Sequence, residues 1–270
     1  MKIVRTIAET RELLLPGEGR PRRSAHDVVG LVPTMGALHA GHVALFEAAR
    51  RECAVVVATI FVNPLQFGDP TDLARYPRTE SHDARLAEAA GVDVLFAPTE
   101  QEMYPTGHAT WVAVEGAAEG LEGAFRPGHF RGVATVCTKL FAIIEPDVAY
   151  FGQKDAQQVA VLDQVVRDLN LNLEIRVVPT VRDPDGLAVS SRNTRLSSEE
   201  RARALAIPRA LDAGLAAFRA GRDPIAAARG LLVGLDVEYV EVATFRGQAT
   251  LAIAARAGRT RLIDNVLLRQ

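Results

Sequence analysis

Five short apolar runs rich in β-branched residues recur along the chain: Val28 to Val32, Val55 to Val62, Val92 to Phe96, Asp147 to Phe151 and Leu173 to Val178. Helical patterns lie between most of them. Strands this apolar have no polar face to turn toward water, so they belong in a mostly parallel sheet covered on both faces by the intervening helices, an α/β architecture. With 270 residues the chain suits one large or two modest domains. The turn-forming stretch Pro179-Thr-Val-Arg-Asp-Pro-Asp-Gly186 interrupts the pattern and marks a boundary, giving domains 1–181 and 182–270. Beyond it, Ser197-Ser-Glu-Glu200 is a capping signal for an alanine-rich helix that reaches Ala220 with a break at Pro208. Asp236 to Thr244 reads as a strand.

In open parallel sheets ligands gather at the strands' carboxyl ends. Three polar or glycine-bearing segments follow those ends directly: Pro33 to His42, Asn63 to Phe67 and Gly152 to Asp155. They are expected to converge on one cleft. The first of them, within Leu31-Val-Pro-Thr-Met-Gly-Ala-Leu-His-Ala-Gly-His42, joins a strand to a helix through a small-residue turn. Glycine there lets the backbone approach a ligand, and the start of the helix is expected to offer unpaired N–H groups to an anion. A spacing of three puts His39 and His42 on one side of a first helical turn, beside such an anion. The same spacing also fits a metal half-site or a solvated helix start. Zinc would need further ligands, and Cys53 and Cys137 do not have ligand spacing.

Charge narrows the partners. Thirty-one basic residues against 33 acidic ones leave a net charge of −2, which lacks the basic field of a nucleic-acid binder. Any anion site is therefore local. Two cysteines make no disulfide framework, and Met1 to Thr10 lacks the apolar core of a signal peptide, so the cytoplasm is the expected compartment. No apolar run approaches the ~18 residues of a membrane span.

Other constellations carry chemistry alongside ordinary structural readings. Lys154, in Phe151-Gly-Gln-Lys-Asp155, can bring a positive charge to a phosphate or be a salt-bridged surface lysine. Val189-Ser-Ser-Arg-Asn193 sets two hydroxyls and a guanidinium side by side, suited to phosphate oxygens and equally to a turn or cap. Gln66, Gln157 and Gln158 stand near the strand ends, where amides can both donate to and accept from hydroxyl groups. In Glu122-Gly-Ala-Phe-Arg-Pro-Gly-His-Phe130, Arg126 can neutralise a carboxylate, and His129 is either functional or a packing residue.

Seven motifs in order resemble one family. Val32-Pro-Thr-Met-Gly-Ala-Leu-His-Ala-Gly-His42, Ile60-Phe-Val-Asn-Pro-Leu-Gln-Phe67, Tyr76-Pro-Arg-Thr79, Arg126-Pro-Gly-His-Phe-Arg-Gly-Val133, Phe151-Gly-Gln-Lys-Asp-Ala-Gln-Gln158, Asp185-Gly-Leu-Ala-Val-Ser-Ser-Arg-Asn193 and Thr260-Arg-Leu-Ile-Asp-Asn265 are similar to those of the pantoate:β-alanine ligases. This family of the nucleotidylyltransferase superfamily is also called the pantothenate synthetases. The His-x-Gly-His element alone would implicate only adenylyl transfer. The full series spans nearly the whole chain.

The resemblance implies a Rossmann-like ATP-binding domain, a smaller α+β carboxy-terminal lid domain and a homodimer. It also implies a reaction in which pantoate is adenylated by ATP with loss of diphosphate, after which β-alanine displaces AMP. The ATP contacts it implies are Met35, Gly36, Ala37, Leu38, His39, Ala40, Gly41 and His42, then Gly152, Gln153, Lys154 and Asp155, then Val181, Val189, Ser190, Ser191 and Arg192. His42, His39 and Lys154 take the catalytic roles, with His42 as proton donor. Gln66 and Gln158 are the implied pantoate ligands, Gln66 also lying where β-alanine enters. Mg2+ is expected with ATP, its ligands coming mostly from phosphates and water. The chain departs from the family at Gln153 and Ala156, where glutamate and an aromatic are usual. It departs again at Ser81-His82-Asp83, where some relatives carry adjacent aspartates near magnesium. No protein metal ligand is assigned.

Overall fold

The computed structural model describes residues 1–14 and 28–269. Six strands form one sheet: β1 (Lys2–Val4), β2 (Val29–Val32), β3 (Val55–Thr59), β4 (Val94–Phe96), β5 (Val148–Gly152) and β6 (Glu174–Val178), in the order β1-β4-β3-β2-β5-β6. The pairings β1–β4, β4–β3, β3–β2 and β2–β5 all run parallel. All five expected runs hold strands: four are shortened at one end, and β5 starts one residue later than expected and runs on to Gly152. β3 stops at Thr59 because Ile60 to Asn63 already turn toward a short 3₁₀ turn at Pro64–Gln66. β1 was not expected, since only Val4 of its three residues is buried and no alternation can show in so short a segment.

Both alternating sets of side chains in β2, β3 and β4 are buried, as strands covered on two faces require. One face packs Val32, Val56, Ala58, Leu95 and Tyr150 against Leu45, Phe46 and Ala49 of the helix Ala40–Glu52. That helix turns its apolar stripe inward and leaves Arg51 and Glu52 in solvent.

The chain parts into two compact units. The first holds Met1–Phe151 and Val161–Val178. The second holds Gly152–Ala160 and the chain from Pro179 onward. In the second unit β7 (Asp236–Phe245), β8 (Gln248–Ala257) and β9 (Thr260–Leu267) form an antiparallel sheet in the order β7-β8-β9. Leu251, Ile253 and Ala255 of β8 pack with Ile207, Leu211 and Ala228 of two helices. The capping box at Ser197 and Glu200 is present and opens the helix Ser198–Ala204. The break in the alanine-rich stretch falls at Leu205, not Pro208. Pro208 lies in the first turn of the next helix, Ala206–Arg219, where a missing N–H leaves no bond unmade.

Candidate active site

In the first unit the loop after β2 is bound to its neighbours from below. Thr34 Oγ1 donates to the Thr59 carbonyl at 2.5 Å and accepts from the Gly36 N–H at 3.1 Å. Gly36 and Ala37 both lie in the left-handed region, at φ +78° and +50°. For Ala37 that conformation costs about 1–2 kcal/mol, so the surroundings must hold it there. Asp83 does so. Its two carboxylate oxygens accept from the N–H groups of Ala37 and Leu38, each at 2.9 Å, and from the Thr79 hydroxyl at 3.1 Å. Asp83 is wholly buried.

The two histidines follow. His39 is the N-cap of the helix Ala40–Glu52: its Nδ1 accepts from the Gly41 N–H at 3.2 Å, and His42 Nδ1 accepts from the His39 N–H at 3.2 Å. This is a capping box built from two imidazoles. The ring centroids stand 4.1 Å apart, so the expected pairing on one side of the first turn holds. A ring nitrogen that accepts carries no proton, so each neutral imidazole keeps its proton on Nε2. Gly41 leaves room for this arrangement, because a Cβ there would stand 3.0 Å from the His39 ring.

The expected row of unpaired N–H groups takes a different form. The amides of Gly36, Ala37, Leu38, His39 and Gly41 all donate to side chains that hold the loop, and His42 N–H donates to the His39 carbonyl. Short polar side chains compete successfully for the amides of a turn. The loop's backbone bonds therefore fix its shape.

The segments after β2 and β3 meet in the first unit. Gln66 Nε2 donates to Met35 Sδ at 3.1 Å, while Gln66 Oε1 accepts from Asn63 Nδ2 at 2.9 Å. A thioether is a weak acceptor, so this bond holds the Gln66 amide only weakly. Tyr104 Oη donates to Asn63 Oδ1 at 2.8 Å, and burial pushes the Tyr104 hydroxyl well above the usual phenol range. His129 Nδ1 lies 3.0 Å from the Gln66 carbonyl, and its Nε2 lies 3.0 Å from Arg126 Nη1. Guanidinium only donates, so Nε2 accepts and the Nδ1 proton goes to the Gln66 carbonyl. Glu122 sits 3.8 Å from Arg126. His129 thus braces the turn that carries Gln66. Beside Met35 and Gly36 a cavity of about 250 Å³ is lined by Ile60, Phe61, Arg78 and Glu100 among others.

In the second unit a 3₁₀ turn, Gln153–Asp155, carries Lys154. Asn265 of β9 holds it: Nδ2 donates to the carbonyls of Gln153 at 3.0 Å and Lys154 at 2.9 Å, and Oδ1 accepts from Gln153 Nε2 at 3.0 Å. The Gln153 amide therefore makes a bond that a carboxylate could not donate. The next residue back, Asp264, is buried and pairs with Arg182 at 2.7 Å. Burial raises its carboxyl group, against the opposing pull of Arg182. Val181 and Val189 are joined by a backbone bond of 2.9 Å, and Ser190 Oγ accepts from the Arg192 N–H at 3.3 Å as the cap of the turn Ser191–Arg195. The turn-and-cap reading of this segment is thus present, and the Ser190 hydroxyl keeps its own proton to donate. Gln157 and Gln158 open the helix Ala156–Asp168, Gln157 buried and Gln158 half-buried.

Sequence reasoning did not find Asp83, Tyr104 or Asn265 as members of these clusters. Two of them lay in segments the sequence had singled out for other reasons: Asn265 closes the motif Thr260 to Asn265, and Asp83 ends the departure Ser81-His82-Asp83. Among the described residues no group of three or more His, Cys, Asp or Glu stands together to hold a metal, and no helix is long and apolar enough to cross a membrane.

Comparison with known proteins adds to this geometry. Residues 2–267 match the family model described as pantoate-beta-alanine ligase. The chain is 52% identical to the pantothenate synthetase of Chloroflexus aurantiacus over 285 aligned positions, covering 99% of this chain and 98% of that one. It is 46% identical to the pantothenate synthetase of Pelotomaculum thermopropionicum with both chains fully covered. Among solved structures, pantothenate synthetase from Thermus thermophilus superposes with a TM-score of 0.92 at 44% identity over all of both chains. A pantoate-beta-alanine ligase from Francisella tularensis, complexed with beta-gamma ATP and beta-alanine, superposes with a TM-score of 0.84 at 35% identity, covering 99% of this chain and 98% of that one.

Proposed function

The chain belongs to the pantoate-beta-alanine ligase family, and from that premise we propose how its own residues perform the family's reaction. The enzyme condenses (R)-pantoate with β-alanine at the expense of ATP. The pantoate carboxylate attacks the α-phosphorus and the bond to diphosphate breaks, leaving pantoyl adenylate. The β-alanine nitrogen then forms the amide bond, loses a proton, and AMP departs from the acyl carbon.

One observation carries the assignment: His39 and His42 stand with their rings 4.1 Å apart, each with Nδ1 accepting a backbone N–H, which keeps the proton of each neutral ring on Nε2 as a donor. Adenylyl transfer builds negative charge on the phosphates, and donors aimed beforehand stabilise that charge without reorganising. His42 is the proton donor, with His39 beside it. Lys154, Ser190, Ser191 and Arg192 supply further positive charge and hydroxyl donors to ATP. Met35 to His42, Gly152 to Asp155, Val181 and Val189 make up the remaining ATP contacts. Gln66 and Gln158 hold the hydroxyl groups of pantoate, and Gln66 stands where β-alanine enters. No protein nucleophile is required, since much of the acceleration comes from holding carboxylate and phosphorus in line.

Mg2+ enters as the salt of ATP. The carboxylate of Asp83 is already engaged with Ala37, Leu38 and Thr79, and the ion would take most of its ligands from phosphate and water oxygens. The carboxy-terminal domain takes the lid role that the family resemblance implies, and the same resemblance supports a homodimer. The free, buried thiols of Cys53 and Cys137 accord with a reducing, cytoplasmic setting.

Diphosphate release from Mg-ATP, with pantoate present and β-alanine withheld, tests the first half-reaction. Adding the amine and identifying pantothenate tests the second. Release that does not depend on pantoate, or a product other than pantothenate, overturns the reading.

A further inference from the structure

We propose that Asp83 is a positioning residue for adenylyl transfer, a buried carboxylate that fixes the backbone of Ala37 and Leu38 and through it aims His39 and His42. The proposal rests on the ATP-site reading above. Among the candidate ATP contacts, the bonds that Asp83 makes are to backbone N–H groups. It acts on two consecutive amides of the loop that leads into the imidazole capping box, each at 2.9 Å. Its place is set from its own side as well, because Thr79 caps it at 3.1 Å and Asp83 N–H bonds the Thr79 carbonyl at 2.9 Å at the start of the helix Glu80–Ala89.

The fit is tight. A Cβ on Gly36 would stand 3.0 Å from Asp83 Oδ2 and 3.1 Å from Ile60 Cγ2, so the carboxylate and the loop have shaped each other. A fully buried carboxylate is costly unless every oxygen is bonded, and here three donors bond the pair of oxygens. Two of the three are backbone groups in or beside the left-handed pair Gly36 and Ala37. The charge is thus placed where it holds a strained turn, and the turn sets where the His39 cap begins.

Asp83→Asn is the test. It preserves size but turns one acceptor into a donor that faces a backbone N–H. Pantoate-dependent exchange of labelled diphosphate into ATP is expected to fall roughly ten- to a hundredfold, the scale of a misplaced catalytic group, with kcat falling more than the KM for pantoate rises. Aminolysis of supplied pantoyl adenylate by β-alanine is expected to change less than about twofold per folded molecule. The amides of Ala37 and Leu38, bonded to Asp83 in the wild type, are expected to exchange with solvent hydrogen faster in the variant. Thr79→Val removes one hydroxyl only and gives the same pattern at about two- to fivefold, which decides the matter if the Asn variant does not fold. Equal loss in both half-reactions, or unchanged diphosphate exchange, overturns the proposal. If the wild-type protein itself shows no pantoate-dependent exchange, the family reaction is what fails. Asp83 is then judged on ATP affinity, and an Asn variant that binds ATP as tightly as wild type overturns its role.

Discussion

Asn265 Nδ2 reaches the Lys154 carbonyl at 2.9 Å, across 111 residues of sequence. The same nitrogen takes the Gln153 carbonyl at 3.0 Å, so one amide pins two successive peptide units of the turn that presents the lysine. Lysine is a flexible point charge, and its usefulness to a phosphate depends on a fixed root. Asn265→Ala leaves two carbonyls and the Gln153 amide without this partner. It is expected to lower stability by about 1–3 kcal/mol and to raise the KM for ATP more than that for β-alanine. Melting curves and steady-state kinetics check both. A variant with wild-type KM for ATP would remove Asn265 from the machinery.

The histidine pair allows capping to be separated from chemistry. His39→Asn keeps a side-chain acceptor at the N-cap, whereas His39→Ala removes it. The Ala variant is expected to lose about 1 kcal/mol more stability than the Asn variant, while both lose the Nε2 donor and show the same fall in adenylate formation. His42→Ala is expected to reduce adenylate formation roughly a hundredfold or more, because it removes a donor aimed at developing charge. Single-turnover formation of the adenylate measures each. If His39→Asn retains the full rate, His39 is a cap and nothing more.

How far the sequence foretells this site follows from the range of its bonds. The imidazole pair could be read from spacing because a capping box spans three residues. Five of the six strands of the larger sheet could be read because each lies in an apolar run. Asp83 could not, since its partners lie 46 and 45 residues away and a lone aspartate in Glu80-Ser-His-Asp83 looks like helix surface. β8 was missed for a different reason. Its alanines favour helix in isolation, and it is a strand only because β7 and β9 pair with it on both sides.

Gly132 sets the placement of Gln66. A Cβ at Gly132 would run into the carbonyl carbon and oxygen of Leu65 and the nitrogen of Gln66, all of them backbone atoms with no rotamer to escape by. The Asn63 amide also donates to the Gly132 carbonyl at 3.1 Å, so helix and turn are locked face to face. Gly132→Ala is expected to cost about 1–3 kcal/mol of stability through overpacking, and to raise the KM for pantoate well beyond that for ATP. Thermal unfolding and the two KM values test this. Equal effects on both substrates would place the damage in the fold at large and not at Gln66.

Burial gives one thiol a pH signature. Cys137, in the helix His129–Ile144, is held in an apolar setting that pushes its pKa from 9.0 up to about 12. Because the folded pKa is the higher one, the folded protein keeps a proton that the unfolded chain has lost. The contribution to stability is complete below pH 9 and disappears as pH rises toward about 12. Within that window one retained proton corresponds to a slope of about 1.4 kcal/mol per pH unit. Urea unfolding across the alkaline range is expected to show a shallower decline for Cys137→Ala than for wild type, whatever its stability at neutral pH. Alkylation at about pH 8 is expected to label Cys137 only after unfolding, because thiolate is the reactive form and the native fold excludes it. Parallel stability slopes for variant and wild type, or rapid native-state labelling of Cys137, would show that the thiol titrates in contact with water.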